Sequence, residues 1–239
     1  MNSKIITKND QQNQQQQPFR FLLIALLFVM MSGLTYAVLT LTSQAPGLSV
    51  WVADNLDNSG VSNPVTAVLL NFRGYDTLLE MGVLLLALIG VWSLGDVPER
   101  RHSLPGPVLD ILARLMVPLL ILVAGYLLWV GAHAPGGAFQ AGSVLGAAGV
   151  LLLLSDWHFD SRFSGLSLRI VLIAGLGMFV AVGLLLVVVG SQLLEYPPPL
   201  AGALILIIEA AATLSIGFTL AALFLGGRPT TQLTNRESQ

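Results

Sequence analysis

The chain has 239 residues, 54% of them hydrophobic and only 10% charged, with a formal charge of −2 and a mean hydropathy of +0.78. Soluble domains carry about 25% charged residues, so this composition marks an integral membrane protein. The absence of cysteine excludes disulfides, thiolate metal sites and iron–sulfur clusters, and the scattered basic residues argue against a nucleic-acid partner.

Met1–Pro18 is polar, with a glutamine run at Gln14–Gln17. It reads as a disordered tail, residues 1–19. The apolar run after Arg20 continues to about Leu41, beyond the roughly 7–15 residues of a secretory h-region, so it reads as a membrane helix. Spanning takes about 20 mostly apolar residues. Six segments qualify: Phe21–Leu41, Asp76–Leu94, Ile111–Val130, Gly137–Leu154, Leu168–Val189 and Leu200–Leu225. The second either begins as early as Val65 or is preceded by a short interfacial helix. The expected fold is all-α and integral to the membrane, with about six transmembrane helices.

The basic residues orient the chain. Lys4, Lys8 and Arg20 precede the first helix, Arg100, Arg101 and Arg114 flank the second connection, Arg162 and Arg169 the fourth, and Arg228 and Arg236 follow the sixth helix. The alternate connections, Thr42–Asn63, Gly131–Gly136 and Gly190–Pro199, contain no Lys or Arg. Both termini are therefore expected in the cytoplasm. Arg73 alone falls on the opposite face. The polar, Pro-containing stretch 96–110 reads as a cytoplasmic linker between a two-helix part, 20–95, and a four-helix part, 111–226, with a cytoplasmic tail at 227–239. No connection is long enough for a soluble domain.

Asn71–Glu80 sets Arg73, Asp76 and Glu80 at the mouth of a span in which Glu80 is the only formal charge from Thr77 to Leu94. If this stretch is helical, steps of three and four residues put all three on one face, a geometry suited to passing a proton or attracting a small cation. The alternative is an interfacial Arg–Asp anchor with Glu80 satisfied by a neighbouring subunit. An intramembrane carboxylate is expensive, which makes it a functional hypothesis by default. Glu209 lies near the middle of the sixth span, with Thr213 one turn on and Ser215 nearby. It is either a carboxyl in an ion pathway or a neutral acid bridging helices. His133 opens the turn His133–Gly142, and Gly142 and Gly146 form a GxxxG spacing suited to close helix packing. His133 titrates in the physiological range when unperturbed, so it is a candidate proton relay or an incidental turn residue. Asp54 and Asp57 read as loop residues and Glu195 with Pro197–Pro199 as a rigid outer turn. No Walker loop, His-x-Glu metal pattern or nucleophile–base pair occurs, and no enzyme activity, cofactor or metal site is expected.

Two of these motifs resemble a known family. Asn71–Glu80 and its apolar run look like the segment near the C-terminus of the large A subunit of Mrp-type monovalent cation/proton antiporters, and a related segment occurs in a small subunit of membrane-bound hydrogenases. Arg114–Leu154, with its Pro-Gly-Gly-Ala-Phe-Gln-Ala-Gly turn, resembles the B subunit of the same antiporters. The resemblance places the A-subunit tail at about 20–95 and the B-like part at about 108–226. It implies that Arg73, Asp76 and Glu80 are the polar residues of the A-tail motif. The chain departs from the family at Asn71, where an acidic residue is common, and at Ala138, where a third glycine is common. The resemblance implies a subunit that works only with partner subunits in a prokaryotic inner (plasma) membrane, with sodium and protons as the transported species. No lysine follows Lys8, so the lysine-bearing broken helix expected of a self-sufficient pumping subunit is missing. The alternatives are a scaffold that docks larger subunits, or a membrane subunit of a hydrogenase-like respiratory complex.

Overall fold

The computed structural model describes residues 3–40, 47–94, 106–155 and 165–226, with side chains from residue 20 onward. Most of the expected linker and all of the expected C-terminal tail lie outside these residues, as do Arg100, Arg101, Arg162, Arg228 and Arg236. Among the described residues all regular structure is helical. Among the described residues five helices are long and apolar enough to cross a membrane, and a sixth apolar helix is shorter.

The chain divides into two units, residues 1–47 and 48–239. The first is built on α1, Ser3–Leu39, whose apolar stretch is Arg20–Leu39. This helix starts at Ser3 rather than Phe21, so it reaches back through the polar stretch expected to be a disordered tail. Gln and Lys are good helix formers, and the helix continues through Pro18.

The second unit opens with α2, Leu48–Asn55, and a short 3-10 turn at Leu56–Asn58. Next come α3, Pro64–Ala67, a π-helical turn at Val68–Phe72 and α4, Gly74–Ser93. Four further helices follow: α5, Pro107–Val130; α6, Ala138–Leu154; α7, Leu166–Val188; and α8, Pro198–Leu225. Proline opens α5 and α8, where its missing N–H is no loss. That moves both starts a few residues ahead of the apolar runs, to Pro107 and Pro198. Gly226, at φ 71°, ends α8 in the left-handed conformation that glycine adopts without strain.

α8 is the central helix of this unit. Its residues Ile205, Ile208, Ala212, Ile216 and Ala222 are buried in three apolar layers. The first layer joins Val61, Leu70, Phe179 and Tyr196 to the start of α8. The second joins Met81 and Ala138 to Ala212 and Ile216, and the third joins Leu88 and Leu172 to Ala222. In a bilayer the lipid is as apolar as leucine, so helices associate through close packing rather than through hydrophobic burial. The α6–α8 contact follows that rule. A Cβ added to Gly142 would lie 2.7 Å from Ile216 Cβ, one added to Gly146 would lie 3.0 Å from Leu220 Cβ, and one added to Gly149 would lie 3.0 Å from Ala221 Cβ. Positions rise together along both helices, so α6 and α8 run parallel. On the other side Gly175 of α7 meets Ala212 and Ser215, and the Ser215 hydroxyl donates to Leu172 O at 2.6 Å.

Replacing Gly142 with leucine is expected to overpack the α6–α8 seam at a cost of about 1–3 kcal/mol. The detergent-solubilised protein should then melt several degrees lower. An unchanged melting temperature would show that this seam does not limit stability.

Candidate functional site

The segment between α3 and α4 is a broken helix. Asn63 caps α3, its side chain accepting from Val65 N at 3.1 Å, and Pro64 takes the first helical position. One turn later the ladder widens: Arg73 N donates to Val68 O at 2.8 Å, a five-residue step. Arg73 itself leaves the helix at φ −129°, ψ 35°. The Thr77 hydroxyl donates to Leu69 O at 2.5 Å and the Asn71 amide to Ser59 O at 2.9 Å, so side chains satisfy carbonyls around the break. Such π-turns are frequent at functional sites.

Arg73 and Asp76 form an exposed ion pair at this break. The expectation of one continuous helical face through Arg73, Asp76 and Glu80 is corrected here, because Arg73 lies outside the helix. Glu80 sits in α4 one turn beyond Asp76, on the exposed side of the helix, beside Leu79 and near Val83. Among the described residues no hydrogen bond or ion pair reaches it.

Residues 59–66 clasp the turn between α5 and α6. Ser62 N and Asn63 N both donate to Ala132 O, at 2.9 and 3.0 Å. The Asn63 amide donates to Gly131 O at 3.2 Å and Ala134 O at 2.8 Å, and the Thr66 hydroxyl donates to Gly131 O at 2.6 Å. These bonds cover carbonyls at the end of α5 that no helical partner reaches. His133 is exposed in this turn, with its Nδ1 3.1 Å from Ser62 Oγ. Asn63 and Thr66 carry no distinctive motif. The Asn-Pro start signal for α3 was readable, but not its second role some 70 residues away.

The turn ends at Gly137, φ 96° and ψ −170°, where α6 starts without a side-chain cap of its own. Glu209, in the interior of α8 and only 3% exposed, reaches this point. Its carboxylate accepts from the backbone N–H of Ala138. A Cβ on Gly137 would lie 2.6 Å from Glu209 Oε1, so glycine is required there twice, by backbone conformation and by the carboxylate. Neither neighbouring hydroxyl bonds the carboxylate. Thr213 Oγ1 donates to the backbone oxygen of Glu209 at 2.8 Å, and Ser215 turns to α7. The structure thus joins Glu209 to the glycine turn and leaves His133, Arg73, Asp76 and Glu80 apart from that contact. Above it, Tyr196 is buried with its hydroxyl unpartnered, and burial raises its phenol above the usual value.

These features define a multi-pass helical membrane protein with one carboxylate buried inside the chain and another on its outer face. A family model described as "Domain related to MnhB subunit of Na+/H+ antiporter" matches residues 108–235, more than half of the chain, and the chain belongs to that family. A second model, MbhE, which describes a subunit of MBH, matches residues 18–102. An uncharacterized protein of Methanocaldococcus jannaschii is 30% identical across 43% of this chain and 49% of its own, so the chain spans about half the length of that curated relative. A chain of the Mrp complex from Dietzia sp. DQ12-45-1b is similar in structure, with TM-score 0.61 and 26% identity over 90% of this chain and 27% of that one. The fold is also that of a chain from the membrane-bound sulfane sulfur reductase, an archaeal respiratory membrane complex, with TM-score 0.65 and 24% identity over 87% of this chain and 97% of that one.

Gly137→Ala is expected to cost about 1–3 kcal/mol from backbone conformation alone and to push Glu209 aside as well. Asn63→Ala removes a helix cap and two bonds to the turn, each worth about 1 kcal/mol. Both variants should accumulate in membranes well below wild type on immunoblots, and normal accumulation of either would show that the clasp is dispensable.

Proposed function

We propose that this chain is a non-autonomous subunit of a monovalent cation/proton antiporter, sodium being the expected cation, in the cell membrane of a prokaryote. Asp76 and Glu80 lie on its ion or proton path, and Glu209 lies on a proton path. The N-terminal part, 20–95, serves as the A-tail-like module and 111–226 as the subunit-B-like module, joined by a cytoplasmic linker at 96–110 with both termini in the cytoplasm. The observation that carries the reading is Glu80: a carboxylate on the outward side of a membrane helix, without a partner in its own chain among the described residues. Lipid is a poor environment for that group. A hydrated path or a partner subunit is what makes it tenable.

One finding favours a second reading. The MbhE match over 18–102 supports a membrane subunit of a hydrogenase-like respiratory complex, in which the same carboxylates serve a proton path coupled to redox partners. Hydrogenase subunits encoded beside this gene would favour that reading, and large antiporter subunits alone would favour the first.

Glu80→Gln, expressed with its partner subunits in cells lacking other antiporters, is expected to assemble normally on native gels. Sodium-driven dissipation of a pH gradient in everted vesicles should fall by about 10²-fold, the effect of losing one proton-transfer group. Intact assembly with normal exchange would remove Glu80 from the path and leave a scaffold role.

A further inference from the structure

We propose that Glu209 and the backbone at Gly137–Ala138 form a proton-binding site whose moving part is the start of α6. The ionised carboxylate holds that turn, and proton uptake lets it go. This deepens the function proposed above and rests on it for its role in transport, but not for its existence.

The first turn of a helix presents N–H groups with no partner inside the helix, and a local Ser, Thr, Asp or Asn usually accepts from them. α6 has glycine at that position and no such bond. Its acceptor comes from the interior of another helix, through the gap that only a glycine at 137 leaves. A carboxylate facing a helix N-terminus gains twice: the bond is charge-assisted, and the helix dipole is positive at that end. Protonation removes the charge and both gains.

The turn is tied elsewhere by bonds that do not involve Glu209. Gly137 N donates to Leu127 O at 2.9 Å, Ala141 N donates to Gly137 O at 3.0 Å, and Asn63 holds Gly131 and Ala134. Release is therefore local to Ala138 and the turn that follows it.

The chemistry selects a proton over a metal cation. The group bonded to the carboxylate is an N–H donor at a positive helix end, which repels a cation. The Gln140 Oε1 near the same turn is a single neutral oxygen, fewer than the several oxygen ligands a hard cation takes. Among the described residues no group of three His, Cys, Asp or Glu converges anywhere. The charged and titratable groups on the surrounding elements are Tyr75, Asp76 and Glu80 on α4, Asp110, Arg114 and Tyr126 on α5, His133 in the turn, Arg169 on α7, and Glu195 and Tyr196 before α8. Those that are bonded turn to other partners: Asp76 to Arg73, Arg114 to Asp110, His133 to Ser62, and Glu195 to Gln192 N. The charge on Glu209 is thus answered by backbone, and a change in that charge acts on backbone.

The test is amide hydrogen–deuterium exchange of the whole complex in detergent, read by mass spectrometry over a pH series and corrected for intrinsic rates. The wild type is compared with Glu209→Gln, whose amide oxygen still accepts from Ala138 but cannot be ionised. Peptides covering 137–142 should exchange several-fold faster in the glutamine variant at high pH. The two proteins should converge as the pH falls, while α7 peptides stay unchanged. Equal protection in both proteins at every pH, or a difference that no pH removes, would overturn the site. If the variant does not assemble, the wild-type series decides alone: protection over 137–142 that falls with pH relative to α7 supports the site, and a flat profile overturns it. The readout needs no transport, so a complex that fails to exchange cations yet shows this profile would sink the antiport reading and keep the proton site.

Discussion

The bond from Ala138 N–H to Glu209 sets the height at which α6 stands against α8. Glu209 lies eleven residues beyond Pro198, the first residue of α8, so α6 begins roughly 17 Å along its neighbour at 1.5 Å per residue. From there the two helices run parallel, and the register set at 137 and 209 brings Gly142 to Ile216 and Gly146 to Leu220. A shift of one residue would turn those glycines off the seam and drive a larger side chain into α8. The polar contact and the packing contact therefore specify the same arrangement, and each is weaker without the other.

A short α6 leaves a volume above its start that irregular backbone must fill. Such backbone is tolerated at membrane depth only where protein or a water-lined cavity satisfies its polar groups. Residues 59–66 and 131–137 meet that condition together, since Asn63 and Thr66 supply donors for the carbonyls at the end of α5. Gly60 closes the layer against α8, its oxygen 2.6 Å from where a Cβ on Gly202 would be. The broken entry to α4 belongs to the same layer, because Asn71 reaches Ser59. The resulting architecture sets one short helix among full-length ones, roofed by loops that hydrogen-bond to one another.

The spans were legible from composition because crossing a bilayer imposes length and apolarity on each helix separately. The depth of Glu209 was legible for the same reason, and so were the small residues of α6. The link between them was not. It joins positions more than 70 residues apart, and the pattern around either one is satisfied by several partners. One clue was present in the sequence: Gly-Gly-Ala-Phe starts a helix without any capping side chain, which requires an acceptor from elsewhere. The break before α4 was legible as one of two alternatives, a short helix ahead of the second span, but its π-helical form at Val68–Phe72 was not. A π-turn adds one residue to a single turn and leaves no residue signature of its own.

The two intramembrane carboxylates are solved in opposite ways, and the difference bears on how the chain works. Glu209 is enclosed by its own chain and is answered there by a helix end, which any proton that binds it must displace. Glu80 faces outward, and among the described residues no hydrogen bond or ion pair reaches it. An outward carboxylate is costly in lipid and becomes tenable beside water or a partner group, which is the environment the proposed assembly would supply. The ion pair of Arg73 with Asp76 sits at the start of the same helix, and Arg73 makes no ion pair with Glu80. In the function proposed above, α4 is the helix that presents Glu80 to a partner subunit.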